Sequence, residues 1–415
     1  MSLVAPTRKM RILLSAFACD PNMGSEPYVG WNWLNLLLDS GYEVVLLTRS
    51  HHKEALTKAC REKTNLQIVS FDLPAMGGLG HRAILIKPYY IAWQIAALFV
   101  AIATKARFPF DMAMHVTYNV VDFPGFLWLL PKTKFIWGPV GGGQSPPEWA
   151  EPLYGKEWQR QLIRRKIKSS LRWNPFVVSA VRKSQFVMVA NAETEATLPV
   201  KYRAKYVRLL ETAIDAAPNE RTQSEGQSSI TRLLWVGQLE PRKGLPLLLG
   251  ALNLAAKTNA AAGLDIRLTV VGDGPLEGEY KRQCQTLNLD KLVYFAGAVD
   301  FQHMSEYYRN SDAFVFTSVQ DTSGNVLFEA MSHSLPIISI NHQGAAEILD
   351  DASAFLISPT SYGEAIQLFC NRIVEVANAP KEALKKGLRG NQRLERLHTW
   401  AQRRDVFVRN MNAVL

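Results

Sequence analysis

The sequence contains few cysteines and lacks the features of exported or zinc-binding proteins. Its four cysteines, among 415 residues, form no closely spaced pair: Cys19, Cys60, Cys284 and Cys370. We therefore expect neither a disulfide framework nor a zinc site, and we expect a reducing cytoplasm. The N-terminal segment MSLVAPTRKM has no apolar run of the kind that makes a signal peptide.

An uncharged run of the usual membrane-spanning length is missing as well. The best candidate, Tyr89 to Thr104, reads YYIAWQIAALFVAIAT and is shorter than the roughly 20 residues that cross a bilayer. We expect it to form a helix that is buried in its domain or lies on the domain surface. Low-complexity tracts are absent, and a composition of 47% hydrophobic and 20% charged residues is typical of a soluble globular protein.

The net charge of the protein indicates which kinds of partner it can bind. The formal charge of +10 suits nucleic acid, an anionic membrane surface or anionic substrates. No recognised nucleic-acid-binding motif accompanies this charge, so we do not expect nucleic acid as a partner.

The pattern of strands and helices indicates an α/β protein of two domains, as expected for a chain too long for one ordinary core. In both halves short apolar strands alternate with helices, and glycine-bearing loops follow several strands, which is typical of parallel sheets. The predicted strands are 11–18, 43–48, 66–71, 112–116, 135–140 and 186–190 in the first series, and 232–236, 266–271, 293–296 and 313–317 in the second.

A polar stretch, residues 215–230, has no apolar periodicity and is predicted as a loop just inside the domain boundary. We predict two Rossmann-like, doubly wound domains that face a central cleft, residues 1–200 and 201–390. Residues 391–415 are predicted as a C-terminal helix that caps the second domain or crosses back to the first.

The most informative stretch runs from Phe314 to Leu349 and reads as strand, loop, helix, strand, loop, helix. Within it, the loop Ser323-Gly324-Asn325 opens into the apolar helix VLFEAM. A helix N-terminus presents unpaired N–H groups and a partial positive charge, so it attracts phosphate. Asp321 before the loop and Glu329 in the helix would flank that phosphate. This arrangement suits a ligand with a central phosphate and hydroxyl groups at both ends, such as a nucleotide sugar.

Three further features follow strands of the first domain. Gly24-Ser25 is either a turn at which a phosphate or acceptor approaches, or a tight turn in which Ser25 caps a helix. His115 ends a strand, where side chains point to the ligand crevice, although most lone histidines beside apolar runs are structural. The glycines of GPVGGG, including Gly142, permit close approach of a ligand or a facing domain, or else form a flexible connection. The G-x-G-x-x-G spacing is not matched, so a dinucleotide is not indicated.

The segment from Lys156 to Trp173 is the most basic part of the chain. At helical spacing its cations gather on one side, and apolar residues that include two tryptophans gather on another. This pattern is typical of a helix that lies on an anionic membrane surface. The alternative is a solvated helix that covers its own domain. The residues that we assign to the acceptor or the membrane are Ser25, Gly142, Arg164, Arg165, Lys168 and Arg172.

A set of motifs then stands in a fixed order. WVGQLEPRKG is followed by VVGDGP, by the pair Asp321 and Glu329 and by AMSHSLPII. This set resembles the V-G-R-L, P-x-K-G, V-G-x-G-P, E-x(7)-E and A-M-x-x-G-x-P-V motifs of GT-B-fold glycosyltransferases in retaining family 4. AFACDPNMGSEPYVGWNW and IWGPVGGG resemble a bacterial branch associated with cell-surface polysaccharide assembly. The resemblance covers nearly the whole chain and is strongest from Leu234 to Leu349.

This resemblance implies roles for individual residues. Glu329 matches the carboxylate that holds the nucleotide ribose, and Asp321 matches the one that contacts the transferred sugar near the reacting carbon. Lys243 matches the lysine that holds the donor diphosphate, where a cation stabilises the charge of the leaving group. His115 matches a histidine close to the sugar. The other donor-binding residues that it implies are Gly24, Gln238, Arg242, Gly274, Ser323, Gly324 and Asn325.

The chain departs from the family pattern at three positions. Gln238 stands in place of the usual arginine, so that either Arg242 supplies the charge or the diphosphate is held less tightly. Asp321 is one methylene shorter than the usual glutamate, and Ser334 replaces the usual glycine.

The function implied is transfer of a sugar from a UDP-, GDP- or TDP-linked donor, with retention at the anomeric carbon. No enzyme nucleophile is evident, and in this mechanism the leaving phosphate takes the acceptor's proton. No Asp-x-Asp motif stands at a strand end and the family is generally metal-independent, so we expect no metal and no other cofactor. The expected acceptor is a lipid-linked glycan, and the expected location is the inner face of the cytoplasmic membrane.

Two alternatives remain open at this point. One is a GT-B enzyme that acts on a soluble acceptor or epimerises a nucleotide sugar. The other is a non-catalytic regulator that binds a sugar nucleotide. This alternative remains open because Gln238 and Asp321 depart from the family pattern.

Overall fold

The computed structural model describes residues 9–73, 86–215, 230–259 and 264–414. The chain divides into two compact units. The first unit comprises Met1–Gly143, Ile167–Thr212 and Arg403–Leu415, and the second comprises Gln144–Lys166 and Ala213–Gln402.

The first unit is built on a seven-stranded parallel sheet with the order β3-β2-β1-β4-β5-β6-β7. Its strands are short apolar runs, because helices cover both faces of a parallel sheet. They are β1 (Arg11–Ala16), β2 (Glu43–Thr48), β3 (Leu66–Ser70), β4 (Met112–Val116), β5 (Lys134–Val140), β6 (Ser184–Val189) and β7 (Tyr206–Arg208). The helices in this part of the chain are α1 (Glu26–Asp39), α2 (Lys53–Ala59), α3 (Ile86–Arg107), α4 (Glu151–Tyr154), α5 (Trp158–Ser170), α6 (Pro175–Lys183) and α7 (Ala192–Ala196).

Helix α3 contains the uncharged stretch predicted to be a helix. In the described part of the chain it is the one helix long and apolar enough to cross a membrane by length and composition. One side of it is buried, however, where Tyr89, Trp93 and Ala97 pack into the core cluster of the first sheet. Val177 and Val181 of α6 belong to the same cluster. Helices α3 and α6 therefore cover the same face of this sheet.

The second unit is built on a six-stranded parallel sheet with the order β10-β9-β8-β11-β12-β13. The strands are β8 (Ile230–Val236), β9 (Asp265–Val271), β10 (Val293–Gly297), β11 (Ala313–Phe316), β12 (Ile337–Ile340) and β13 (Phe355–Ile357). The helices in this part of the chain are α8 (Leu245–Asn259), α9 (Glu277–Thr286), α10 (Met304–Arg309), α11 (Asn325–Ser332), α12 (Gln343–Ile348), α13 (Tyr362–Asn378), α14 (Pro380–Leu397) and α15 (Trp400–Val414). Each predicted strand of both series has a counterpart, whereas β7 and β13 were not predicted.

The division into units differs in detail from the predicted 1–200, 201–390 and 391–415. Residues 201–212 stay with the first unit because Tyr206–Arg208 pairs with β6. Residues 144–166 belong to the second unit, where Leu153 and Trp158 join the core cluster. The predicted C-terminal helix is two helices, and residues 403–414 of α15 belong to the first unit. Residues 216–229 of the predicted loop lie outside the described part of the chain.

Candidate functional site

The carboxyl ends of three neighbouring strands form the edge on which the second unit's predicted residues lie. Strands β9, β8 and β11 are adjacent and parallel, and they end at Val271, Val236 and Phe316. The loops that follow them therefore start side by side at one edge of the sheet. Ligands of open α/β sheets bind outside this carboxyl edge.

Glycines bring the first two of these loops into backbone contact. Gly274 has a φ of 157°, and a Cβ placed there would lie 2.6 Å from the Leu239 nitrogen. Gly272 has a φ of 127°, and its Cβ would lie 2.0 Å from the Gly237 oxygen. The Leu239 N–H donates to the Asp273 carbonyl at 2.7 Å. Gly274 thus shapes the loop that carries Gln238, which is how the predicted VVGDGP turn contributes to this edge.

Contacts of its backbone fix the position of Lys243. Gly244 after it has a φ of 67°, and the Thr317 hydroxyl donates to the Lys243 carbonyl at 2.7 Å. The Lys243 side chain, 14% exposed, extends to Asp321, and the ammonium lies 2.5 Å from Asp321 Oδ2. The structure thus brings together the predicted diphosphate cation and the predicted sugar carboxylate.

Arg242 lies where it can supply the charge that the Gln238 position lacks. One guanidinium nitrogen donates to Gln238 Oε1 at 3.4 Å, and another lies 3.8 Å from Asp321 Oδ2. The guanidinium also pairs with Glu240 at 2.5 Å. Two cations and two carboxylates therefore share this small area.

The ionisation of Asp321 follows from these neighbours. Burial disfavours the charged carboxylate, but the positive charges of Lys243 and Arg242 outweigh it and hold the pKa of Asp321 below its ordinary value. The Asp321 N–H donates to Gln343 Oε1 at 3.0 Å, which fixes the loop. Asp321 is therefore an ionised, positioned acceptor at neutral pH.

Helix α11 begins directly after this loop, as predicted. Gly324 precedes it with a φ of 71° and no side-chain cap, and a Cβ placed there would lie 3.0 Å from the Phe316 ring. The first N–H groups of a helix have no partner within the helix, and such groups, which begin here with Asn325, bind anions. Ser323 is buried, and its hydroxyl lies 3.4 Å from Asn325 Oδ1.

Glu329 lies one turn further along α11 and lines a cavity of about 280 Å³. The cavity wall also includes Gln238, Asp273, Val299 and Val326. The Tyr308 hydroxyl donates to Glu329 Oε2 at 2.8 Å. Burial raises the pKa of Glu329, and this hydrogen bond opposes the rise. A partly enclosed carboxylate beside apolar walls is suited to accept hydroxyl groups of a ribose stacked in the cavity.

Several residues that support this site were missed by sequence reasoning. Tyr308, from α10, orients Glu329, and the His333 ring stacks on Tyr308 with centroids 5.1 Å apart. Gln343 has a φ of 51°, and its side-chain oxygen accepts the hydrogen bond from the Asp321 N–H. The segment that follows Gly143 also braces the loop, since Gln144 donates to the Thr322 hydroxyl at 2.6 Å. No local sequence signal marks these contacts, because each joins residues that are distant in the chain.

His115 lies at the end of β4, as predicted, but its ring points into the first unit. It is 1% exposed, and its Nε2 lies 2.8 Å from the Tyr90 hydroxyl. Gln94 lies 3.4 Å from the same nitrogen. Burial lowers the pKa of His115 to about 4, so the ring is neutral at physiological pH. Through Tyr90 and Gln94 the ring is hydrogen-bonded to α3. The Asn119 amide donates to the His115 carbonyl at 2.9 Å.

The first-loop residues have different local environments. Gly24 is exposed, and a Cβ there would meet no atom within 4 Å, so no packing contact requires glycine. Ser25 precedes α1 with a φ of 57°, and its side chain makes no capping hydrogen bond, so the capping alternative is wrong. Gly142 has a φ of 83°, and a Cβ on neighbouring Gly143 would lie 2.4 Å from the Thr194 Cα. The triple glycine thus packs tightly within the protein and is not merely a flexible connection.

The basic segment forms α5, flanked by short 3-10 turns. Trp158 and Leu171 are buried, whereas Ile163, Ile167 and Trp173 are exposed. Arg164 is exposed. Arg165 instead pairs with Glu148 at 2.9 Å, and Arg172 donates to the Ala196 carbonyl at 3.3 Å and lies over Trp173. Lys168 is partly buried. Apolar side chains and cations therefore share the outer side of this helix.

Within the described ranges, no group of three or more His, Cys, Asp and Glu side chains is placed to hold a metal ion. The expected independence of metal stays a prediction.

Comparison with known proteins links the second unit to one family. Residues 230–375 match the family described as Glycosyl transferases group 1. The chain is similar to Sulfoquinovosyl transferase SQD2 of Arabidopsis thaliana, 27% identical over 38% of this chain and 31% of that protein. It is also similar to Alpha-monoglucosyldiacylglycerol synthase of Streptococcus pneumoniae, 25% identical over 38% of this chain and 37% of that protein. The chain thus spans about a third of the length of these relatives.

A solved structure matches over nearly the whole chain. Alr3699/HepE of Anabaena in complex with UDP aligns with a TM-score of 0.61, 14% identity, and coverage of 97% of this chain and all of that chain. At this identity the likeness concerns the fold. Two parallel-sheet, Rossmann-like α/β domains of this kind constitute the GT-B fold, which confirms the predicted fold class.

Proposed function

We propose that this chain, whose residues 230–375 match the group 1 glycosyltransferases, transfers a sugar from a nucleoside-diphosphate sugar to a hydroxyl group of a glycan acceptor. One observation carries the proposal. Lys243, Asp321 and the N-terminus of α11 converge on the same sheet edge as the cavity lined by Glu329. A cation and a helix N-terminus suit a diphosphate, and the carboxylates on either side suit the hydroxyl groups of the sugar and the ribose.

In the proposed donor complex, the Glu329 carboxylate accepts the ribose hydroxyls within the cavity. The diphosphate lies against the Lys243 ammonium and the first N–H groups of α11, with Arg242 nearby. Lys243 is then shared between the diphosphate and Asp321. Gln238 lines the cavity and orients Arg242, so that Arg242 supplies the charge of the family's missing arginine.

The proposed reaction proceeds with retention and without metal. The bond between the anomeric carbon and the diphosphate oxygen breaks, and the acceptor oxygen bonds to that carbon on the same face. The acceptor's proton passes to the leaving diphosphate. Lys243, Arg242 and the helix N-terminus stabilise the charge that develops on the diphosphate. Asp321, held ionised by the two cations, accepts a hydroxyl of the transferred sugar.

For the first unit we propose acceptor binding at the carboxyl edge of its sheet. Ser25, in the exposed loop after β1, and the turn at Gly142 belong to this edge. His115, which is buried against Tyr90, positions the end of β4 rather than exchanging protons.

The proposed acceptor is a lipid-linked glycan of cell-surface polysaccharide assembly, used at the inner face of the cytoplasmic membrane. Helix α5 supports this, because Ile163 and Ile167 are exposed among the cations of the segment. A relative whose name denotes a diacylglycerol product is consistent with such an acceptor.

An assay of UDP-, GDP- and TDP-sugars with polyprenyl-linked and soluble glycan acceptors tests the proposal. We expect transfer with one donor class, a loss of about 100-fold or more in Lys243→Ala, and a similar loss in Glu329→Ala. Lys257→Ala, which removes an exposed lysine of the same unit, is the matched control. Absence of both transfer and donor hydrolysis with every donor would contradict the proposed function, whereas transfer to soluble acceptors alone would contradict the lipid-linked acceptor.

A further inference from the structure

Helix α3 has two apolar sides, although only one of them is buried. The inner side packs into the first sheet through Tyr89, Trp93, Ala97 and Ala101. The outer side carries four large apolar side chains that are exposed by 44% or more: Ile91 44%, Ile95 45%, Phe99 64% and Ile102 45%. A surface helix normally has a polar outer side, so this second apolar stripe is not explained by the fold.

The stripe is continuous along the helix. Its members are spaced by four, four and three residues, which places them one above another on a helix. From Ile91 to Ile102 the stripe runs for about 16 Å at the usual helical rise. Pro88 and Ala106, both exposed, extend it in each direction at the same spacing. We refer to Ile91, Ile95, Phe99 and Ile102 as the α3 stripe.

Positive charges stand at both ends of the α3 stripe, and no acidic residue occurs in α3. Lys87 is exposed in the first turn, and Arg107 is exposed at the last residue. Lys105 is fixed beside the next loop, where its ammonium donates to the Pro131 and Lys132 carbonyls at 3.0 Å. Lys132 is itself exposed.

The neighbouring helix on the same face of the sheet adds the same two kinds of residue. Helix α6 shares a core cluster with α3, and Arg182 and Lys183 at its end are exposed. Just before α6, Trp173 is 72% exposed. This helical layer of the first unit thus presents large apolar side chains bordered by cations.

We infer that the α3 stripe is a surface that inserts shallowly into an anionic lipid bilayer, with the cations at its ends bound to lipid head groups. The charge pattern selects this occupant. A second copy packed antiparallel along α3 would place Lys87 of one copy against Lys105 and Arg107 of the other, and like charges repel. An anionic bilayer instead offers an apolar interior for the stripe and negative charge for its ends.

The inference rests on the proposed function, because a lipid-linked acceptor is what would bring this enzyme to a bilayer. It names a contact surface separate from α5. Since the inner side of α3 is part of the core of the first sheet, the helix lies on the membrane and does not cross it.

Vesicle flotation of the full chain tests this inference. The probes are phosphatidylcholine vesicles with and without phosphatidylglycerol, at low ionic strength. The test variant is Ile95→Gln/Phe99→Gln, which leaves the net charge unchanged. The control is Tyr294→Gln, which removes a similarly exposed aromatic ring from the second unit. Melting temperatures establish that each variant is folded.

We expect the wild type and the control to float with the anionic vesicles, and the double variant to lose vesicle affinity by about tenfold or more. Equal flotation of the double variant would overturn the inference. A wild type that does not float would also overturn it. So would a wild type that forms dimers which the double substitution dissociates, because the α3 stripe would then mediate self-association. Donor hydrolysis and sugar transfer, measured without vesicles, separate the two proposals: a protein that floats through α3 but neither hydrolyses a donor nor transfers its sugar refutes the proposed function alone.

Discussion

Lys243 and Asp321 form an ion pair in which the ammonium lies 2.5 Å from Asp321 Oδ2. The two residues are 78 positions apart in the sequence, and adjacent parallel strands bring their loops together. The pair keeps the carboxylate ionised, and it also means that a diphosphate must compete with Asp321 for the same cation. The first prediction follows from this competition.

Asp321→Asn is expected to separate donor binding from transfer. Loss of the negative charge releases Lys243, so the affinity for UDP should be unchanged or tighter. Transfer should fall by about tenfold or more, because an amide accepts a sugar hydroxyl less strongly than a carboxylate does. Calorimetric UDP titration and initial transfer rates measure the two effects. Asp290→Asn, at an exposed position of the same unit, serves as the control. Weaker UDP binding in Asp321→Asn would contradict the proposed competition.

Tyr308→Phe should weaken donor binding without changing the surrounding packing. The substitution removes only the hydroxyl that donates to Glu329 at 2.8 Å. A hydrogen bond to a charged group contributes roughly 1.5–3 kcal/mol, so we expect the donor KM to rise by about tenfold or more while kcat changes little. Tyr294→Phe, at an exposed ring of the same unit, should leave both constants unaltered. An unchanged donor KM in Tyr308→Phe would show that Tyr308 does not orient Glu329 for the ribose.

Glu26 should make the stability of the protein depend on pH. Its carboxylate accepts the Tyr118 N–H at 2.7 Å, and burial raises the pKa of Glu26 to about 7. Glutamate in the unfolded chain has a pKa of about 4.3, so between these two pH values the folded protein binds more protons than the unfolded chain does. The free energy of unfolding therefore falls as pH rises through that window.

In Glu26→Gln this dependence should disappear, because glutamine still accepts the Tyr118 N–H but does not titrate. The melting temperature of the variant should gain on that of the wild type as pH rises from about 4.5 to about 7. Glu54→Gln, on an exposed position of α2, should follow the wild-type curve. Parallel curves for Glu26→Gln and the wild type would refute this account of Glu26.

Phe407→Ala should destabilise the first unit strongly, although it lies near the C-terminus. Phe407 is fully buried, and its ring packs edge-on against Trp33, with centroids 5.8 Å apart, and near Phe186. Truncation of a buried phenylalanine costs about 3–5 kcal/mol. Denaturant unfolding should show that loss, whereas Tyr294→Ala, at an exposed ring, should cost little. A small effect of Phe407→Ala would mean that α15 is not part of the core of the first unit.

Sequence reasoning predicted the parts of this molecule that depend on local pattern. Most strands of both sheets follow from short apolar runs, and the placement of Lys243 near Asp321 is implied by the resemblance of their motifs to those of the glycosyltransferase family. The pairing partner of each residue could not be predicted. The sequence around Glu329 does not predict its contact with Tyr308, and the sequence around Asp321 does not predict its contact with Gln343. These contacts depend on how α10 and α12 pack.

The unit boundaries show the same limit. Tyr206–Arg208 reads as part of a connection until the sheet beside it is known, since three residues carry no periodicity. Residues 144–166 join the second unit and residues 403–414 join the first unit. Both assignments depend on packing partners that are distant in the sequence, such as Trp33 for Phe407. His115 was predicted at a strand end, which is correct, but only the position of α3 shows that its ring is buried.

The most direct test of the central claim is a crystal structure of the protein with its nucleoside-diphosphate sugar. We predict that the diphosphate lies within hydrogen-bonding distance of the Lys243 ammonium and of the N–H groups at the start of α11. The ribose should lie on the Glu329 carboxylate, in the cavity beside Gln238. A donor bound elsewhere, or bound here with its diphosphate away from Lys243 and α11, would contradict the account.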